Sequence, residues 1–200
     1  MLINLVANIV GALIFLFVLW KRLKEDYSAE IIYATGFYML SGLVLGLVAS
    51  FYISPGWWFW FSFLGLSLGF VFPVLKFKLR FYETLEASTV GLILWLLVMF
   101  LWHAVVYANV TSLLGGLVLA AILLLFFFMD RKYKGFSWYT SGRVGFSGMT
   151  TLGVFFLTRA LFASYSVSVL SSTGKWDAIL SSVIGFTAFL LVYNLSRKVA

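Results

Sequence analysis

Cysteine is missing from this chain of 200 residues, and only two prolines and one histidine occur. Without cysteine there is no disulfide, no thiol nucleophile and no lipidation site. A single histidine excludes a His-based metal cluster, and nothing in the pattern calls for a metal or another cofactor. Charge is scarce as well. Charged residues make up 10% of the chain, whereas soluble domains carry about a quarter. Apolar residues make up 63% and aromatic ones 20%, a composition that cannot build a water-facing surface. The apolar runs are continuous rather than alternating, which excludes a β-barrel and leaves an all-α polytopic membrane protein. The P-loop, the Rossmann glycine pattern, the zinc-protease helix and the Gly-x-Ser-x-Gly elbow are all absent. A retinal protein is excluded because no lysine stands in the middle of the last apolar run.

What is present is a series of runs long enough to cross a bilayer core of about 30 Å. Seven are predicted, over 2–20, 30–53, 57–75, 86–107, 110–129, 145–164 and 177–195. They form one transmembrane domain over 1–200, with loops too short to hold a soluble insertion. The first run is followed, not preceded, by its charges, so it reads as a membrane helix rather than a leader. The net charge of +7 reflects topology and not nucleic-acid binding. Of the 14 Lys and Arg, 12 fall on one side of the alternating spans, Lys175 falls on the other and Arg159 lies within a span. The positive-inside rule then places the N-terminus outside and the C-terminus in the cytoplasm. Trp20, Trp57, Trp58, Trp102, Trp138 and Trp176 mark the interfaces.

Small residues recur at helix-packing spacing: Gly42, Gly46 and Ser50, then Gly65 and Gly69, then Ser181 and Gly185. Pro73 is expected to kink the third span. The sequon at Asn109 lies too near the membrane to carry weight. No internal repeat is visible, which argues against an inverted-repeat transporter. Thr89, Thr150, Thr151, Thr158 and Thr187 are the main polar residues at mid-span, a poor pathway for a solute.

Arg159 is the residue that asks for a reason. Sixteen residues beyond Arg143, about 24 Å along a helix, it sits in the outer half of the bilayer. Two readings stand. The side chain snorkels to the outer headgroups, or it is aimed into the bundle and holds an anion such as a phospholipid phosphate. His103, in "FLWHAVVY", is either a general base or proton relay, or an interfacial aromatic beside Trp102. Asp177 is the one acidic residue on the outer side and could reach His103 only in space. Glu83 and Glu86 open the fourth span, where they complement the helix dipole and pair with Arg80 or Lys78; Glu30 does the same in the second span. Asp130 is expected to pair with the adjacent Arg131.

The order of these features resembles the bacterial prolipoprotein diacylglyceryl transferases. The similarity covers about residues 18–163. "WKRLKEDYSAEIIYATGFYMLSGLVLGLVASF" is similar to the family's first loop and second span. "FWFSFLGLSLGFVFPVLKFKLRFYETLEASTVGL" is similar to its third span, basic loop and fourth-span start, with Glu86 on a characteristic acidic position. "TSLLGGLVLAAILLLFFFMDRKYKG" and "SGMTTLGVFFLTRALFA" are similar to its fifth and sixth spans, the latter placing Arg159 on a functional arginine. The resemblance implies a seven-helix inner-membrane protein that binds phosphatidylglycerol, with lipoprotein precursors as partners. If the chain is an enzyme, the implied reaction is phosphatidylglycerol-dependent diacylglyceryl transfer, with Arg159 on the lipid phosphate and His103 as a displaced base.

The chain also departs from the family. The His-Gly-Gly motif is replaced by "WFSFLG", and the Gly-Arg-x-Gly-Asn-Phe signature by "MFLWHAV". The glutamate opening the family's fifth span and the outer head are missing. The expectation is therefore a phospholipid-binding member whose catalytic site is eroded or repurposed. A small transporter or channel, or a structural subunit with Phe-rich outer surfaces, are the alternatives.

Overall fold

Each apolar run folds as a helix, because in hydrocarbon the backbone must satisfy its own hydrogen bonds. The structure, a computed structural model, describes residues 2–136, 145–165 and 174–196. Seven helices run in order: α1 (Leu2–Leu23), α2 (Ala29–Ile53), α3 (Trp58–Lys76), α4 (Phe81–Tyr107), α5 (Val110–Lys132), α6 (Phe146–Tyr165) and α7 (Lys175–Ser196). There is no strand among the described residues. All seven are long and apolar enough to cross a membrane, so the chain is an integral membrane protein. Trp138, Arg143, Arg197 and Lys198 lie outside the described residues.

The predicted spans match these helices closely, except that α4 begins five residues earlier, at Phe81 rather than at 86. The extra turn carries Glu83 and moves Glu86 into the second turn. Connections are tight. Asn109 caps α5, its Oδ1 accepting from the backbone N–H of Thr111 at 2.9 Å and Ser112 at 3.4 Å, so this residue has a local structural job. Ala108 ends α4 in the left-handed conformation, which lets the chain reverse in one step.

The α2–α3 hairpin is drawn together by the predicted glycines. A Cβ on Gly42 would run into the Gly65 carbonyl, and one on Gly46 would meet the backbone of Phe61. Gly69 faces the backbone of Tyr38 and Met39 in the same way. Backbones approach this closely only without side chains between them. Pro73 is buried inside α3. Helix α4 packs against α1, α5 and α6, and α6 packs against α7. The central core is aromatic and aliphatic, with Phe126 and Phe156 almost fully enclosed. The outer surface is just as apolar: Phe51 is 75% exposed and Leu124 70%, which suits a lipid-facing perimeter.

Candidate functional site

Two polar clusters interrupt this apolar bundle, one near each end. The first lies at the end that carries the basic residues. Arg22, in the last turn of α1, crosses to α4 and α5, donating to Glu86 Oε1 at 2.7 Å and Asp130 Oδ2 at 2.9 Å. Its guanidinium also rests 4.7 Å from the centre of the Phe126 ring. Glu86 Oε2 accepts from the Ser147 hydroxyl at 2.7 Å and the Gly148 N–H at 3.3 Å. Both donors belong to the first turn of α6, where unpaired N–H groups and the helix dipole favour a carboxylate. Gly148 makes this possible, since a Cβ there would press on Glu86 at 2.7–2.9 Å. The pairings expected for Glu86 with Arg80 or Lys78, and for Asp130 with Arg131, are therefore corrected. Both carboxylates turn inward to Arg22, because α1 packs against α4 and brings its terminal cation over them. Glu83 does pair with Arg80, at 3.0 Å. That bond, then the Glu83 charge, then Asp26 raise the pKa of the exposed Arg80 guanidinium.

The second cluster lies near the opposite end. Arg159 is turned inward and is only 2% exposed, so it does not snorkel. Its Nη2 donates to Asp177 Oδ1 at 2.8 Å and its Nη1 to the Ser181 hydroxyl at 2.6 Å, both on α7. The guanidinium lies over the Phe59 ring at 3.6 Å and the Trp60 ring at 5.0 Å, both on α3. Trp60 Nε1 donates to the same Asp177 oxygen. Three helices thus meet on one ion pair. Asp177 serves Arg159, not His103.

His103 lies on α4, half-buried, with Nδ1 2.9 Å from the Ser112 hydroxyl of α5 and its ring 4.5 Å from that of Tyr107. No carboxylate orients it among the described residues. Of the mid-span threonines, Thr151, Thr158 and Thr187 donate to carbonyls of their own helices. They offer no continuous polar path. No group of three or more His, Cys, Asp or Glu side chains fit to hold a metal occurs among the described residues.

Two hollows flank the second cluster. The smaller, of about 650 Å³ with its mouth included, lies between α4, α5 and α6. Val118, Ile122 and Phe162 line its length, and Thr111, Thr158 and Arg159 line its polar end. The larger, of about 1260 Å³ measured the same way, lies among α1, α2, α3, α4, the start of α5 and α6, and includes His103 and Ser112. Phe100 and Phe155 belong to both walls.

Sequence reading found Arg159, His103 and Glu86, and it missed their partners Arg22, Asp177, Trp60 and Ser112. One signal is available: Asp177 and Arg159 are the only opposite charges in the half of the sequence pattern away from the basic clusters, apart from Lys175 at the rim. Comparison with protein-family models, with curated proteins and with solved structures finds no match to this chain.

Proposed function

We propose that this chain is a protein of the bacterial inner membrane that binds a phospholipid within its helix bundle, a transferase-like scaffold whose diacylglyceryl-transfer chemistry is eroded. The observation that carries this reading is the placement of Arg159 on the wall of an apolar groove. A lipid tail would lie along Val118, Ile122 and Phe162 at the open side of the groove, with its phosphate toward Arg159, Thr158 and Thr111. Guanidinium suits a phosphate because its donors form a planar fork.

The reading also has a built-in opponent. Asp177 already neutralises Arg159, so an incoming phosphate competes with a carboxylate. Catalysis lacks its parts: His103 has a serine partner and no carboxylate among the described residues, and the family's other polar motifs are missing. The charge asymmetry supports placing the basic end in the cytoplasm, which puts Arg159 toward the outer leaflet.

Purification in mild detergent followed by lipid mass spectrometry tests the binding. Arg159→Lys should lower the phosphatidylglycerol retained per protein, and Asp177→Asn should raise it. Equal retention by all three proteins would overturn the assignment. A diacylglyceryl-transfer assay on a lipoprotein-precursor peptide should show no product, and robust transfer would restore the enzyme.

A further inference from the structure

The larger hollow is a second site of a different chemical kind. It runs along α4 from Thr89 to His103, about 21 Å of helix axis. Between those ends its wall is apolar and strongly aromatic, with Phe63, Trp95, Met99 and Phe156 among the lining residues. Among the described residues it is lined by no Lys, Arg, Asp or Glu side chain, unlike the groove beside Arg159.

The tautomer of His103 follows from its partner. Ser112 is 1% exposed, and its hydroxyl touches no acceptor among the described residues other than His103 Nδ1, at 2.9 Å. A buried hydroxyl hydrogen is almost always satisfied. Ser112 therefore donates to Nδ1, which puts the imidazole hydrogen on Nε2. Nε2 has no hydrogen-bond partner among the described residues. At the other end Thr89, 4% exposed, makes no hydrogen bond among the described residues, whereas Thr84 on the same helix donates to its own backbone. Among the described residues two polar points of the hollow, the Nε2–H of His103 and the hydroxyl of Thr89, thus have no hydrogen-bond partner.

We propose that this hollow binds an uncharged lipid whose head presents a carbonyl acceptor to His103 Nε2–H. The uncharged lining among the described residues disfavours a charged head, since an ion in such a wall would stay unpaired. A carbonyl fits because the donor needs an acceptor and carries no negative partner. Two lipid classes share that chemistry: a quinone, whose flat ring also suits the aromatic wall, and a diacylglycerol, whose esters do not use it.

The full chain in detergent should quench its tryptophan fluorescence saturably with decylubiquinone, because Trp58 and Trp95 line the hollow. Dioleoylglycerol supplies the second arm as a competitor, and its displacement of the quinone would identify the ester source. His103→Phe keeps a ring but removes the donor, and should weaken binding by about tenfold. His103→Gln, which returns an N–H near the Nε2 position, should recover most of the affinity. Ser112→Ala should weaken it less than His103→Phe, since the donor tautomer stays accessible. Saturable binding of either probe with this order of variants supports the site. No saturable binding of either, or equal affinity in His103→Phe and the parent chain, overturns it. Thermal unfolding of each variant, compared with the parent, separates loss of the site from loss of the fold.

Discussion

Arg159 and Asp177, eighteen residues apart, meet at 2.8 Å with 1% and 0% of their side chains exposed. A pair this enclosed has given up its hydration, so each partner depends on the other. Removing one charge leaves the other buried without that counter-charge. Asp177→Leu or Arg159→Met should each lower stability by about 3 kcal/mol. The double variant should be less damaged than the sum of the two. Thermal unfolding in detergent over the full cycle measures this, and strictly additive losses would show that the pair carries no coupling.

Trp60 ties α3 to that pair through its indole N–H. Trp60→Phe keeps a ring in place and removes only the donor, so the expected loss is about 1–2 kcal/mol. The same substitution at Trp58, whose indole makes no hydrogen bond among the described residues, should cost less. Equal costs in unfolding experiments would remove the third member from the cluster.

At the basic end, Arg22 serves two carboxylates. Arg22→Met strands both Glu86 and Asp130 near each other, whereas Asp130→Asn leaves the Arg22–Glu86 bond intact. The first should destabilise the bundle by about 3 kcal/mol and the second by under about 1 kcal/mol, as Asp130 is the more exposed carboxylate. The order of unfolding temperatures checks this, and a reversed order would place the main contact at Asp130.

Glycine contacts in the α2–α3 hairpin give a steric prediction. Gly42→Val cannot be placed without separating the helices and should cost at least about 2 kcal/mol, while Gly56→Ala meets open space and should be near neutral. Size-exclusion profiles after graded heating distinguish the two.

Because the chain has no cysteine, single cysteines report topology without background. In intact cells Lys175→Cys should react with a membrane-impermeant maleimide, and Lys78→Cys should react only after lysis. The opposite pattern would invert the orientation assigned from the basic residues.

Much of the architecture is legible in one dimension for a physical reason. A span is a local property, since about 20 apolar residues settle it without reference to any partner. That is why α2, α3, α5 and α6 fall where the hydrophobic runs place them. The glycine spacing on α2 and α3 is legible too, because close packing in lipid demands small residues on one face. The start of α4 was less so. Tyr82 and Glu83 interrupt the hydrophobic run, yet the helix continues through them because Glu83 finds Arg80 one turn away.

Composition and the lengths of the apolar runs by themselves determined that this protein is a seven-helix membrane bundle, because the cost of exposed backbone in lipid acts residue by residue. Which charges meet was decided only in three dimensions. Nothing local tells Glu86 to ignore Arg80 and take Arg22, 64 positions away, or tells Arg159 to lie between Phe59 and Asp177. An ion inside a bundle takes whichever partner helix packing brings within about 3 Å. That partner is a property of the helix arrangement, not of the neighbouring residues in the chain.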